Sequence, residues 1–75
     1  GAKYYEKALD LESRGGDFYN LACAYALLND KDKSFEKLNR AIEHGFNRKA
    51  DYENDSDLES LKSDGRWKIL VEKLK

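Results

Sequence analysis

Cys23 and His44 are the only thiol and the only imidazole in the chain, so cysteine-nucleophile chemistry would have to run through that pair. A reactive thiol needs a base within hydrogen-bond reach and a third group to orient the base. Cys23 instead stands mid-helix between two alanines, the place of a small, partly buried hydrophobe. His44 precedes Gly45 in what reads as the last turn of a helix, where a cationic imidazole meets the helix dipole favourably. Phosphate loops, glycine-rich nucleotide fingerprints and Ser-His-Asp orderings are absent. The residues therefore point to a chain that is not an enzyme and needs no cofactor.

Metal chemistry has one candidate, the alternating acids Asp51, Glu53, Asp55, Asp57 and Glu59, which resemble the odd positions of a calcium loop. A loop starting at Asp51 would place Ser56 where the sharp-turn glycine belongs and Lys62 where the bidentate glutamate belongs. The acids read better as helix caps and solvent-facing residues, and no metal is expected. A basic stripe, Lys33, Lys37, Arg40 and His44, falls on one helical face at i, i+4, i+7 and i+11. It is either a surface for an acidic partner or an ordinary solvated face flanked by Glu36 and Glu43.

These residues have to be positioned by two amphipathic helices and the turn between them. Phe18, Leu21, Ala22, Tyr25 and Leu28 form one stripe of a 3.6-residue helix, so the first helix should pack through that face. Asn29-Asp30 carries turn chemistry, since Asn tolerates a left-handed backbone and both side chains can bond nearby backbone groups. Ser34, Phe35, Leu38, Ala41 and Ile42 give the second stripe, and Gly45 sits where a helix takes a left-handed C-terminal residue. Ala22 and Ala41 lie within the stripes and let the two axes approach closely.

The unit from Asp17 to Gly45 resembles a tetratricopeptide repeat. That family's sequence of aromatic, Leu, small, Tyr, turn, small, Leu and Ala is held here by Phe18, Leu21, Ala22, Tyr25, Asn29-Asp30, Ser34, Leu38 and Ala41. The departures are Asn29 for the turn glycine, Ser34 for the alanine that opens the second helix, and Phe46 for the closing proline. Lys3 to Ser13, with Tyr4, Tyr5, Ala8, Leu9 and Leu11 at helical spacing, resembles the second helix of a preceding repeat. Tyr5 precedes Leu38 by 33 residues, close to the family's usual 34. Ser13-Arg14-Gly15-Gly16 would then punctuate the units, with Asp17 as the next N-cap.

Residues 46–75 form the extension. One short helical turn is expected around Ala50 to Glu53. Asp55 or Ser56 can cap a helix carrying Leu58 and Leu61, and Asp64 one carrying Trp67, Leu70, Val71 and Leu74. The run DSDLESLKSDGRWKIL resembles a tail that follows the last repeat in some bacterial tetratricopeptide proteins, with Ser56 and Gly65 where that tail has proline. An end repeat exposes an apolar face that something must cover, and Leu58, Leu61, Trp67, Leu70 and Leu74 are the expected cover. The fold class is thus all-α: antiparallel helical hairpins of tetratricopeptide type, a solenoid fragment with C-terminal capping helices, in a single domain of residues 1–75.

With 40% apolar and 39% charged residues and no proline, the composition is that of a folded helical protein. A chain of 75 residues draws only roughly 3 to 5 kcal/mol from a single core. A net charge of −1 lacks the basic surplus that nucleic acid or an anionic membrane requires, and no apolar run reaches the ~18 residues of a membrane span. The single cysteine excludes an internal disulfide and fits a reducing compartment, which favours the cytoplasm. Gly1-Ala2 reads as the remnant of a cleaved tag, and a start inside a helical pattern suggests a piece of a longer protein.

The resemblance implies a non-catalytic protein interaction module with a protein or peptide partner. In that family the first helix of each pair lines a concave peptide groove, which places Tyr19, Asn20, Cys23, Ala26 and Leu27 on the groove side. The side-chain amide of Asn20 could clamp a peptide backbone. The variety of groove that binds chaperone tails needs Lys, Arg and Asn over three repeats, and only Asn20 is supplied here. A purely structural cap, for an array or for an adjacent catalytic domain, is the alternative. It would leave Tyr19 and Leu27 covered by the tail. Tyr4, Tyr5 and Leu9 on the first helix offer a surface for self-association.

Overall fold

The computed structural model describes residues 14–75, and within them every regular element is helical. Residues 3–13, read above as the second helix of a preceding repeat, lie outside the described residues. In order come α1 (Arg14–Leu27), α2 (Lys31–Glu43), α3 (Lys49–Asn54), a 3-10 helix (Ser56–Leu61) and α4 (Gly65–Val71).

The turn between α1 and α2 follows the expected chemistry. Asn29 adopts a left-handed backbone with φ of 64°, and the Asp30 side chain accepts from the Lys33 N–H to cap α2. Gly45 ends α2 with φ of 93°, which a side chain would make costly. Gly15 near the start of α1 approaches the carbonyls of Ala41 and His44 near the end of α2, while Ser34 donates to the Ala22 carbonyl at 2.7 Å. The two helices therefore run antiparallel. Ala22, Leu38, Ala41 and Ser34 are all fully buried where they meet, so the closeness rests on small side chains with one hydroxyl satisfied across the interface.

Two expectations need correction here. Arg14-Gly15-Gly16 is not a break: α1 runs through it, and Asp17 lies in the first turn rather than at the cap. Gly15 serves packing instead, because a β-carbon there would come within 2.9 Å of the Phe46 β-carbon and 3.2 Å of two backbone oxygens. The packing face of α1 is also rotated. Gly15, Tyr19, Ala22, Cys23 and Ala26 are buried, whereas Leu21 is 47% exposed and Leu28 75%. The cause is the tail, which folds back on α1 and claims the side carrying Tyr19 and Cys23.

That tail is held at several points. Tyr52 of α3 is fully buried, and its hydroxyl donates to the Phe46 carbonyl. Leu58 and Leu61 of the 3-10 helix and Leu70 of α4 complete the core, with Trp67 and Leu74 packed against it. The five residues expected to form the cover all take part. Asp55 caps the 3-10 helix by accepting from the Asp57 N–H, and Asp64 caps α4 by accepting from the Arg66 N–H. Arg66 reaches back to Asp32 at 2.8 Å and lies 4.6 Å from the centre of the Phe35 ring, and Lys73 donates to Asn39 at 2.8 Å. Exposed ties of this kind are screened by solvent and contribute little; the buried leucines and Tyr52 hold the tail.

Candidate interaction site

Tyr19 is the centre of the closed side of α1. Its ring meets Phe46 at 4.6 Å and Tyr52 edge-on at 5.0 Å, an arrangement that adds to plain area burial. Its hydroxyl donates to Asp55 Oδ2 at 2.6 Å, with the Asp51 carbonyl at 3.1 Å as a second acceptor. One turn on, the Cys23 thiol reaches the same Asp55 oxygen at 3.6 Å. Asp55 therefore ties two segments together with three bonds: it caps the 3-10 helix and accepts from both Tyr19 and Cys23 of α1.

The electrostatics follow from this arrangement. Burial pushes the Cys23 thiol up to about 12, and the Asp55 carboxylate beside it works in the same direction. Burial also raises the Tyr19 phenol, with its hydrogen bond to Asp55 adding to the shift. For Asp55 itself, burial opposes ionisation, but the bonds from Tyr19, the Asp57 N–H and Cys23 outweigh it and hold the carboxyl below its ordinary range. A depressed carboxyl contributes stability that is present above its unfolded pKa, about 3.9, and is lost as pH falls through the folded value. Asp55→Asn is therefore expected to cost about 1 kcal/mol at pH 7 and to flatten the decline in stability below about pH 4. Thermal unfolding of both chains across pH 2 to 7 measures this, and an unchanged acid limb would count against the Asp55 role.

The structure does not bring Cys23 and His44 together. Cys23 is buried against Asp55, while His44 is exposed and stacks on Phe18 at 5.2 Å. A protonated, buried thiol with a carboxylate as its hydrogen-bond partner is a poor nucleophile. The ligand atoms of Cys23, Asp55 and Asp57 do lie within 4.8 Å of one another. Both oxygens of Asp55 already accept protein hydrogen bonds, so the trio is accounted for as a latch. Of the alternating acids, Asp51 and Glu53 belong to α3 and Asp57 and Glu59 to the 3-10 helix, so they do not share one loop.

The five groove candidates divide. Tyr19, Cys23 and Ala26 are 6%, 8% and 4% exposed, covered by the chain's own tail, so a peptide does not reach them while the tail is seated. Asn20 and Leu27 are exposed and form a rim beside the covered residues. Sequence reasoning missed Tyr52 and Phe46 as core rings and Asp55 as more than a cap. The one available signal was the aromatic spacing of Phe46 and Tyr52, weak because the loop between them has no clear period.

No helix among the described residues is long and apolar enough to cross a membrane. Comparison with protein-family models, curated proteins and solved structures returns no match, so the likeness to tetratricopeptide repeats rests on the residues that carry it.

Proposed function

We propose that this chain is a non-catalytic protein interaction module, the closing unit of a tetratricopeptide-type helical array whose own tail seals one side of its last hairpin. The observation that carries the reading is the burial of Tyr19, Cys23 and Ala26 beneath Tyr52, Leu58 and Leu61. An end unit has to cover apolar surface that no further repeat will cover, and this tail does so with leucines, a tyrosine and one shared carboxylate. The structural-cap alternative expects both Tyr19 and Leu27 under the tail; Tyr19 is covered but Leu27 is exposed, which leaves Asn20 and Leu27 as the surface a peptide could touch on that side. A separated cysteine and histidine fit a chain that performs no reaction.

Titration of the isotope-labelled chain with candidate partner peptides, followed through backbone amide shifts, tests the reading. A partner on this side is expected to move Asn20 and Leu27 and to leave Cys23 and Ala26 unchanged. Shifts at Cys23 with loss of the tail's own contacts would mean that the tail is displaced and the groove is open to ligand. Absence of any response at Asn20 and Leu27 to every true partner of the parent protein would remove the rim as a binding surface.

A further inference from the structure

Among the described residues the opposite side of α1 is left uncovered at Leu21 and Leu28. Leu21 and Leu28, two turns apart, are 47% and 75% exposed. Between them and α2 lie the rings of Phe18 and Tyr25, and cations from α2 sit over both. Lys37 is 5.9 Å from the Phe18 centroid, Lys33 is 5.6 Å from that of Tyr25, and His44 stacks on Phe18. The rings attract these cations, and Lys33 also lies 4.0 Å from the Asp30 carboxylate, so its charge is shared within the chain while Lys37 borders the strip. By helical position Asp32, Glu36 and Glu43 fall on the far side of the Lys33-Lys37-Arg40-His44 stripe from α1, and Asp17 borders the strip on its other edge. The result is an apolar strip with positive charge along its α2 border and at one end, where the Arg14 guanidinium lies 6.0 Å from the Phe18 centroid.

The geometry points to this strip as a docking surface for an acidic amphipathic helix of a partner protein, its leucine-type stripe laid on Leu21 and Leu28 and its carboxylates facing Lys33, Lys37 and Arg40. Leu21, Tyr25 and Leu28 lie at the i, i+4, i+7 spacing that another helix reads by ridge-into-groove packing. The described residues include no strand that an extended peptide could join. A bare phosphate surface has no use for exposed leucines between the charges, whereas an acidic helix satisfies both halves of the strip. The inference rests on the interaction-module reading above but not on the Asn20 and Leu27 rim.

The full chain is titrated with a synthetic amphipathic peptide bearing leucines on one face and glutamates along one edge, and with the same peptide carrying lysines in place of the glutamates. The expected result is that only the acidic peptide binds, that it moves the amides of Leu21, Tyr25, Leu28, Lys33 and Lys37, and that its affinity falls with salt. Leu21→Glu should abolish binding. The double variant Lys33→Glu, Lys37→Glu should weaken the acidic peptide about tenfold or more and admit the basic one. Leu21 and Lys33 are exposed and Lys37 is half-buried, and unchanged thermal unfolding of each variant separates lost binding from lost fold. Equal binding of both peptides, no binding, or nuclear Overhauser contacts from Tyr5 or Leu9 that show residues 3–13 already seated on Leu21 and Leu28 would each overturn the inference. A response confined to Asn20 and Leu27 would overturn it while leaving the proposed function standing.

Discussion

Tyr52→Ala is expected to unfold the chain at ambient temperature. Tyr52 is among the largest fully buried side chains, it contacts the rings of Tyr19 and Phe46, and its hydroxyl satisfies the Phe46 carbonyl. Truncating a buried aromatic to alanine costs about 3 to 5 kcal/mol, from lost transfer energy and from the cavity left behind. That equals the roughly 3 to 5 kcal/mol a core of this size supplies. Tyr52→Phe keeps the ring and removes one hydrogen bond, so it should cost only about 1 kcal/mol. Circular dichroism during heating distinguishes the two. A cooperative transition for Tyr52→Ala within a few degrees of the parent would mean that α3 is not part of the folded core.

Ala41→Leu is expected to destabilise by about 1 to 3 kcal/mol, and Gly15→Ala by a similar amount, because they occupy two sides of one close approach. Ala41 is fully buried, and its carbonyl lies 3.2 Å from where a β-carbon on Gly15 would stand. The obstructing atoms are mostly backbone, which yields less readily than the end of a flexible side chain. Relief of that crowding needs α1 to shift relative to α2, which would also disturb the bond from Ser34 to the Ala22 carbonyl. Chemical denaturation of each variant and of the double variant reads the coupling. Fully additive losses would show that the two positions do not share one contact.

The helices and caps were legible because their signals are local. Asn29, Asp30, Gly45, Asp55 and Asp64 each specify backbone geometry within one turn, and each stands where its chemistry placed it. The face of α1 was legible only in part, since both sides of that helix carry apolar residues. Phe18, Leu21, Ala22, Tyr25 and Leu28 make one stripe, of which Ala22 is fully buried, and Tyr19, Cys23 and Ala26 make a second on the other side of Ala22. Which stripe is buried depends on residues 46–61 folding back, a long-range event that helical periodicity does not encode. Gly15 misled for a related reason: a glycine read from sequence as a breaker serves here to admit a neighbouring helix. The Asp55 latch was hidden because its capping role already explained the residue, and its bonds to Tyr19 and Cys23 span more than thirty positions.

The closed tail can be tested most directly at Cys23, the single thiol. Its sulfur is buried against Asp55 and its pKa is pushed up to about 12. A thiol so placed reacts only when the tail lifts or the chain unfolds. Alkylation of the native chain near pH 8 is therefore expected to run about a hundredfold or more slower than in denaturant, and to speed up in Asp55→Asn and Leu58→Ala in step with their lost stability. Rapid, complete alkylation of a chain whose helical signal and thermal transition are unchanged would contradict a tail seated on α1.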